Sequence, residues 1–267
     1  MRGVIGNLVR NEWWVNRRNF VIALFIIVGF QVLFTGVSDI YLQNDDIVKL
    51  METIPSAMLE AFGMHPEQMT SFEGWMSSEP LLFYQMLFGG FAAVWGSQTI
   101  ARERGNKTQD FLFTLPYTRT QIFLSRVLAH LLQMFVVFLI VMGSVYLFGS
   151  LFSTVGNPEA VLVMMLSGLL VAMAFAGIGY LFTTLVRTER AAMSISIGIV
   201  MVSFLLKMLS GLSESISWLS KWSLFNTFDS LRMATESYLS WTGVVICLLV
   251  YFLGIVIAAF LLRRQDI

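Results

Sequence analysis

Blocks of roughly 18 or more residues almost free of charge recur along this chain, and they restrict its fold more than any other feature. A helix rises 1.5 Å per residue, so about 20 apolar residues cross the ~30 Å hydrocarbon layer of a bilayer. A strand edge or loop exposed to lipid would leave backbone groups unpaired, so such blocks must be helices. The blocks lie at 20–37, 81–101, 122–148, 160–186, 191–210 and 241–262. They predict an all-α integral membrane protein with six transmembrane helices. Two of the blocks exceed the required length, which predicts tilt or extension beyond the bilayer. Composition agrees: 57% of residues are hydrophobic and 13% charged, against about 45–50% and about 25% in soluble domains.

The connecting segments carry the charge. Residues 1–18 hold Arg2, Arg10, Arg17 and Arg18, with Val4, Ile5, Leu8 and Trp13 at roughly helical spacing and Asn11 and Glu12 on another face. This reads as an N-terminal interfacial helix, with Trp13 and Trp14 at headgroup depth. A signal peptide is the competing reading, but the apolar run is long and no small-x-small cleavage site follows it. With the N-terminus inside, thirteen of the seventeen Lys and Arg fall on cytoplasmic segments. Only Lys49, Lys207, Lys221 and Arg232 fall opposite. The positive-inside bias therefore predicts cytoplasmic N- and C-termini.

The predicted outer loop 38–80 is acidic. In it Ile47, Leu50, Met51 and Ile54, then Met58, Leu59 and Phe62 beyond Pro55, suggest short amphipathic helices. These either pack on the bundle or gate it. A second outer segment, 211–240, is mostly polar, with Trp218, Trp222, Phe225 and Phe228 as interfacial aromatics.

The loop 102–121 is the most informative. Asn106 is a good helix N-cap, and Thr108, Phe111, Leu112 and Leu115 form one apolar stripe before Pro116 ends it. Thr118 and Gln121 then have the spacing of a capping box that opens the third span. A short amphipathic helix on the cytoplasmic face follows. It either covers the bundle or docks a partner.

The run Ile100-Ala101-Arg102-Glu103 through Phe111-Leu112-Phe113-Thr114-Leu115-Pro116-Tyr117-Thr118-Arg119 resembles the loop signature of type-2 ABC exporter permeases. The order of elements resembles that family along the whole chain, although here Asn106 and Lys107 stand between Gly105 and Thr108. The resemblance implies a permease that pairs with a second permease subunit, identical or homologous, and with cytoplasmic ABC ATPase subunits. ATP and Mg would be bound by the ATPase, with no cofactor on this chain. The helix within 106–115 would be the coupling helix, with Phe111, Leu112 and Leu115 as docking knobs and Glu103, Asn106, Thr108, Asp110 and Arg119 around them. Segment 213–236 would be re-entrant, and the protein would reside in a bacterial cytoplasmic membrane, with membrane lipids as partners and no nucleic acid.

Small residues recur at every fourth position: Gly89, Ala93 and Ser97 on the second span, Gly168, Ala172 and Ala176 on the fourth, Ser194 and Gly198 on the fifth. Such stripes let helices approach closely. They serve either internal packing or, by the same resemblance, a subunit interface and export path through spans two and five. Gln85, Gln98, Ser196 and Ser203 join the latter set, and the many Met and Phe suit an amphipathic or apolar substrate.

Other chemistries find no support. Gly105-Asn106-Lys107-Thr108 lacks the glycine and Lys-Ser/Thr spacing of a phosphate-binding loop. His65 and His130 have no companion ligands at metal spacing, and Cys247 stands alone in an apolar block, where packing is its expected role. Protease motifs are absent from the sequence, and the span centres hold almost no ionisable residues of the kind a proton- or ion-coupled carrier uses. A secondary transporter and a non-catalytic membrane assembly protein remain the alternative readings.

Overall fold

The computed structural model describes residues 2–42, 53–55, 58–59, 71–105 and 117–264. The predicted interfacial helix and first span form one rod, α1 (Arg2–Leu42). No proline interrupts it, and no glycine lies between Gly6 and Gly29. Then follow α2 (Phe72–Ser77), α3 (Glu79–Gly105), α4 (Arg119–Phe152), α5 (Pro158–Leu185) and α6 (Glu189–Leu212). Two 3₁₀ helices, Glu214–Trp222 and Leu224–Asn226, and the short α7 (Ser230–Glu236) lead to α8 (Trp241–Arg264). The capping box at α4 is formed: the Thr118 hydroxyl accepts from the Gln121 N–H, and the Gln121 side chain accepts from the Thr118 N–H. Asn157 caps α5 ahead of Pro158, and Thr188 caps α6.

Among the described residues five helices are long and apolar enough to cross a membrane: α1 from Gly6, α4, α5, α6 and α8. The chain is therefore an all-α, multi-pass membrane bundle. Its exterior is apolar, unlike that of a soluble protein, and its interior mixes an apolar core with polar side chains. Phe25, Leu33, Leu151 and Val256 are exposed, whereas Gln31, Thr35, Gln85, Gln133, Ser167 and Thr183 are buried. Lipid accepts the apolar exterior, and several of the buried side chains bond across helices, as Gln85 does to Ser167 and Asn16 to Gln133.

Helix α3, which contains the predicted second span, is 27 residues long but falls outside that set of five. Its position accounts for its composition. The apolar stretch of α5 is 72% buried, against 22 to 33% for the other four, and α3 lies directly against this central helix. A Cβ on Gly96 would stand 2.5 Å from Ala176 O, and one on Gly179 would press on Ala93 O. On the other side of α5, Gly177 and Gly254 bring α8 to backbone contact. A helix enclosed by neighbours tolerates Gly, Ser and Gln that a lipid-facing helix would replace with Leu or Ile.

The predicted helices around Ile47, Leu50, Met51 and Phe62 lie outside the described residues. Within 38–80, α1 continues to Leu42, and α2 is buried along its whole length. Trp75 stacks on Tyr41 at 4.2 Å and donates its indole N–H to Phe34 O at 3.0 Å. After α6 the chain folds back along it. Ser223 Oγ donates to Ser203 O at 2.7 Å, the Leu224 N–H donates to Ser203 Oγ at 2.9 Å, and Phe225 packs on Phe175 of α5 at 5.2 Å. Of the four predicted interfacial aromatics, Trp218 and Trp222 are exposed while Phe225 and Phe228 are buried.

Candidate functional site

Six elements converge at one end of the bundle, where α3 ends and α4 begins. Glu12 comes from the first third of α1, Arg102 and Glu103 from the last turn of α3, and Arg126 and His130 from one face of α4, a turn apart. Tyr180 and Thr183 of α5, Glu189 of α6 and Arg263 of α8 complete the ring. The N-terminal part of α1 and the C-terminal end of α8 thus sit at the same end as the last turn of α3 and the start of α4.

Glu12 is the centre. Arg102 donates to both of its oxygens, at 3.2 and 3.0 Å; Arg126 Nε lies 3.2 Å from Oε2, and His130 Nε2 lies 3.5 Å from Oε1. Arg126 also donates to Glu103 Oε1 at 2.7 Å and to Thr99 O, and Arg102 lies 3.9 Å from Glu103. His130 Nδ1 is 3.4 Å from the Tyr180 hydroxyl. The side chains of Glu12 and Arg126 are 3% and 7% exposed, so water does not supply their counter-charge. Two carboxylates against two guanidiniums make the group neutral apart from the imidazole. Balance of this kind is what makes buried charge tolerable, and removal of one member leaves the others uncompensated.

Polar contacts extend the knot toward the bundle interior. Asn16 donates to Gln133 at 2.8 Å, joining α1 to α4. Asn19 reaches Gln98 at 3.4 Å, and Gln98 donates to Glu189 at 2.9 Å, joining α1, α3 and α6. Thr183 Oγ1 accepts from the Ile100 and Ala101 N–H groups, and Arg263 Nε donates to Thr120 at 3.3 Å. Both oxygens of Glu12 are engaged by protein, so its carboxylate is not presented to a ligand. Among the described residues no cluster of His, Cys, Asp and Glu could hold a metal ion. The arrangement is a mechanical tie between helices.

Of the residues expected to dock a partner, Asn106, Thr108, Asp110, Phe111, Leu112 and Leu115 lie outside the described residues. Glu103 is in the ionic knot, and Arg119 is half-buried at the start of α4. The path residues fall into three groups. Gln85 donates to Ser167 at 3.1 Å, Gly89 faces Phe175, Ala93 faces Gly179, and the buried Ser97 bonds Val94 O in its own helix; these four lie at or beside the α3–α5 contact. Gln98, Ser196 and Ser203 point inward at different depths. Ser194 is exposed, and Gly198 has open space around the position of a Cβ.

Sequence reasoning picked out Glu103 but not the constellation it belongs to. The signals were present: a glutamate among four arginines in an amphipathic segment, and an Arg-x-x-x-His spacing just inside an apolar helix. What was missing is that Glu12 and Arg102, 90 residues apart, meet.

Comparison with known families agrees with this architecture. A family model described as ABC-2 family transporter protein matches residues 7–267. No curated protein matches the chain.

Proposed function

The chain belongs to the ABC-2 family of transporter proteins, and from that premise we propose that it is the permease subunit of an ATP-driven exporter. It carries an amphipathic or apolar substrate (a drug, peptide or lipid) out of the cytoplasm. A second permease, identical or homologous, completes the pathway, and separate cytoplasmic ATPase subunits supply the energy. The observation that carries this reading is the ionic knot at the base of the 105–117 connection. A docked ATPase that pushes on the coupling helix within 106–115 needs a stiff lever, and the knot ties both flanks of that connection, α3 and α4, to α1 and to each other.

Transport then follows from two-state rocking. Closure of the ATPases shifts the coupling helix, the knot moves α1, α3 and α4 together, and the bundle exchanges one access state for the other. In this reading α3 is the sixth span. Gln31 of α1 reaches Pro80 O at one end of α3, and Glu12 reaches Arg102 at the other. The 22 helical steps from Pro80 to Arg102 rise about 33 Å, enough to cross the hydrocarbon. The positive-inside bias sets the knot in the cytoplasm, and 213–236 dips back from the outer surface. The face of α6 that carries Ser194 and Gly198 is assigned to the second permease. A secondary transporter is less well supported, because the buried ion pairs around Glu12 lie at one end of the bundle and not at its middle.

The test is affinity purification of the tagged chain from its native membrane. A stoichiometric ATPase with a phosphate-binding loop is expected to co-purify, and Phe111→Asp with Leu115→Asp is expected to release it while the bundle stays folded. Co-purification that survives both substitutions, or a clean preparation without any ATPase, would sink the proposal.

A further inference from the structure

At the end of the bundle opposite the knot, three hollows adjoin one another along the fold-back segment. The first, of about 540 Å³, is lined by Lys207 of α6 with Asn226, Asp229, Arg232, Tyr238 and Ser240 among others. The second, of about 400 Å³, shares Asn226, Thr227 and Ser240 with it and adds Lys221. The third, of about 220 Å³, shares Trp222 and Leu224 with the second and is otherwise walled by apolar side chains and Ser203. Ile199, Val202 and Leu206 of α6, Val250 of α8 and Ile178 of α5 form that wall. Val202 is 56% exposed, so the groove opens sideways toward lipid between α6 and α8.

The lining is asymmetric in charge. Lys207, Lys221 and Arg232 stand against Asp229 alone. Asp229 Oδ1 is occupied as the cap of α7, accepting from the Leu231 and Arg232 N–H groups at 3.0 and 3.2 Å. The Lys207 ammonium donates to Phe225 O at 3.2 Å, which uses one of its three N–H groups. A lysine inside an apolar helix is costly, and such residues tend to mark ligand or ion sites. A lysine that merely reaches for water would need neither a positively charged chamber nor a lipid-facing groove beside it. The combination fits one kind of occupant: a molecule with a negative head and a hydrocarbon chain.

We propose that these three hollows form a binding site for an amphiphile with an anionic headgroup, phosphate or carboxylate. The head sits at Lys207 and Arg232, Lys221 flanks the passage, and the chain lies along Trp222, Leu206 and Ile199. The same chemistry belongs to an anionic phospholipid of the membrane and to a single-chain amphiphile in transit. The site uses only the bundle and does not depend on ATPase partnership.

The test uses the full-length chain in phosphatidylcholine nanodiscs, without ATP or partner, read by native mass spectrometry. Two probes are added separately, phosphatidylglycerol and dodecyl phosphate. At least one is expected to be retained at one molecule per chain in preference to phosphatidylcholine. Loss of one charge-assisted contact, by Lys207→Gln or Arg232→Gln, is expected to weaken retention about tenfold. Lys207→Arg is expected to keep it. Lys221→Gln alters an exposed residue of the same site and is expected to weaken retention with the fold intact, so that loss cannot be read as a folding defect. Retained phosphatidylglycerol that excludes dodecyl phosphate identifies a resident lipid; dodecyl phosphate bound where phosphatidylglycerol is not identifies a single-chain ligand. Either supports the site. Equal retention of anionic and zwitterionic lipid with no dodecyl phosphate bound overturns it, as does binding that survives the triple substitution Lys207→Gln, Lys221→Gln and Arg232→Gln.

Discussion

Glu12 is held by two guanidiniums and an imidazole that come from two other helices. Such an arrangement makes the energetics of each member depend on the rest. Glu12→Gln removes the shared negative charge and leaves the buried Arg126 with Glu103 as its remaining counter-ion in the knot, so a loss of about 3 kcal/mol is expected. Arg126→Gln should cost a similar amount, but the double variant should not lose the sum. A double-mutant cycle followed by thermal unfolding in detergent is expected to give a coupling of about 1–3 kcal/mol. A coupling near zero would mean that the two side chains act independently and that no knot exists. Arg126→Lys makes a finer point. An ammonium cannot reproduce the guanidinium fork that spans Glu12, Glu103 and Thr99, so it should rescue only part of the lost stability. At this scale the sequence was least legible. Hydropathy identifies a charged residue near a span, but it contains nothing that pairs Asn16 with Gln133 or Glu12 with Arg126 across such separations in the chain.

Helices are where periodicity and length speak most directly, because lipid contact demands long apolar runs. The cores of the lipid-facing spans were legible for that reason, as was the Thr118–Gln121 box. Helix α2 was not: six residues are too few to show a period, and every one of them is buried, so no polar face marks it. The fold-back after α6 escaped in detail as well, since 3₁₀ turns held by Ser203 and Ser223 leave no repeating pattern. The small-residue stripes could be read as packing or as a pathway, and the glycines now discriminate by position. At Gly96 a methyl would stand 2.5 Å from the backbone of α5, where nothing flexible can yield. Gly96→Ala is therefore expected to destabilise the bundle by about 1–3 kcal/mol. At Gly143 nothing lies within 4 Å of an added Cβ, and Gly143→Ala should be neutral or slightly stabilising, as for a glycine in a helix interior. Equal melting temperatures for the two variants would contradict the α3–α5 contact.

Taken as a whole, the molecule has two chemically different ends joined by an apolar middle. One end gathers the N-terminal part of α1, the flanks of the 105–117 connection and the last turn of α8 around buried ion pairs. The other gathers α2, the α4–α5 turn and the 213–240 segment, where Asn157 bridges by donating its N–H to Glu73 at 2.7 Å and its side-chain amide to Ser237 at 2.9 Å. These contacts fix which segments share an end of the bundle whatever the absolute orientation, and α3 leads from Glu79 beside α2 to Arg102 in the knot. Charge bias alone then chooses which end faces the cytoplasm. The only cysteine, Cys247, is fully buried, so introduced thiols can be read against a low background. Asn106→Cys and Ser215→Cys are expected to react with an impermeant maleimide from opposite faces of sealed vesicles, Asn106→Cys from the cytoplasmic face, and Thr154→Cys is expected to behave as Ser215→Cys does. Labelling of positions 106 and 154 from the same face would mean that α4 does not cross. Labelling of 106 from the outer face would invert the protein, place the knot outside the cell, and remove the surface on which an ATPase could act.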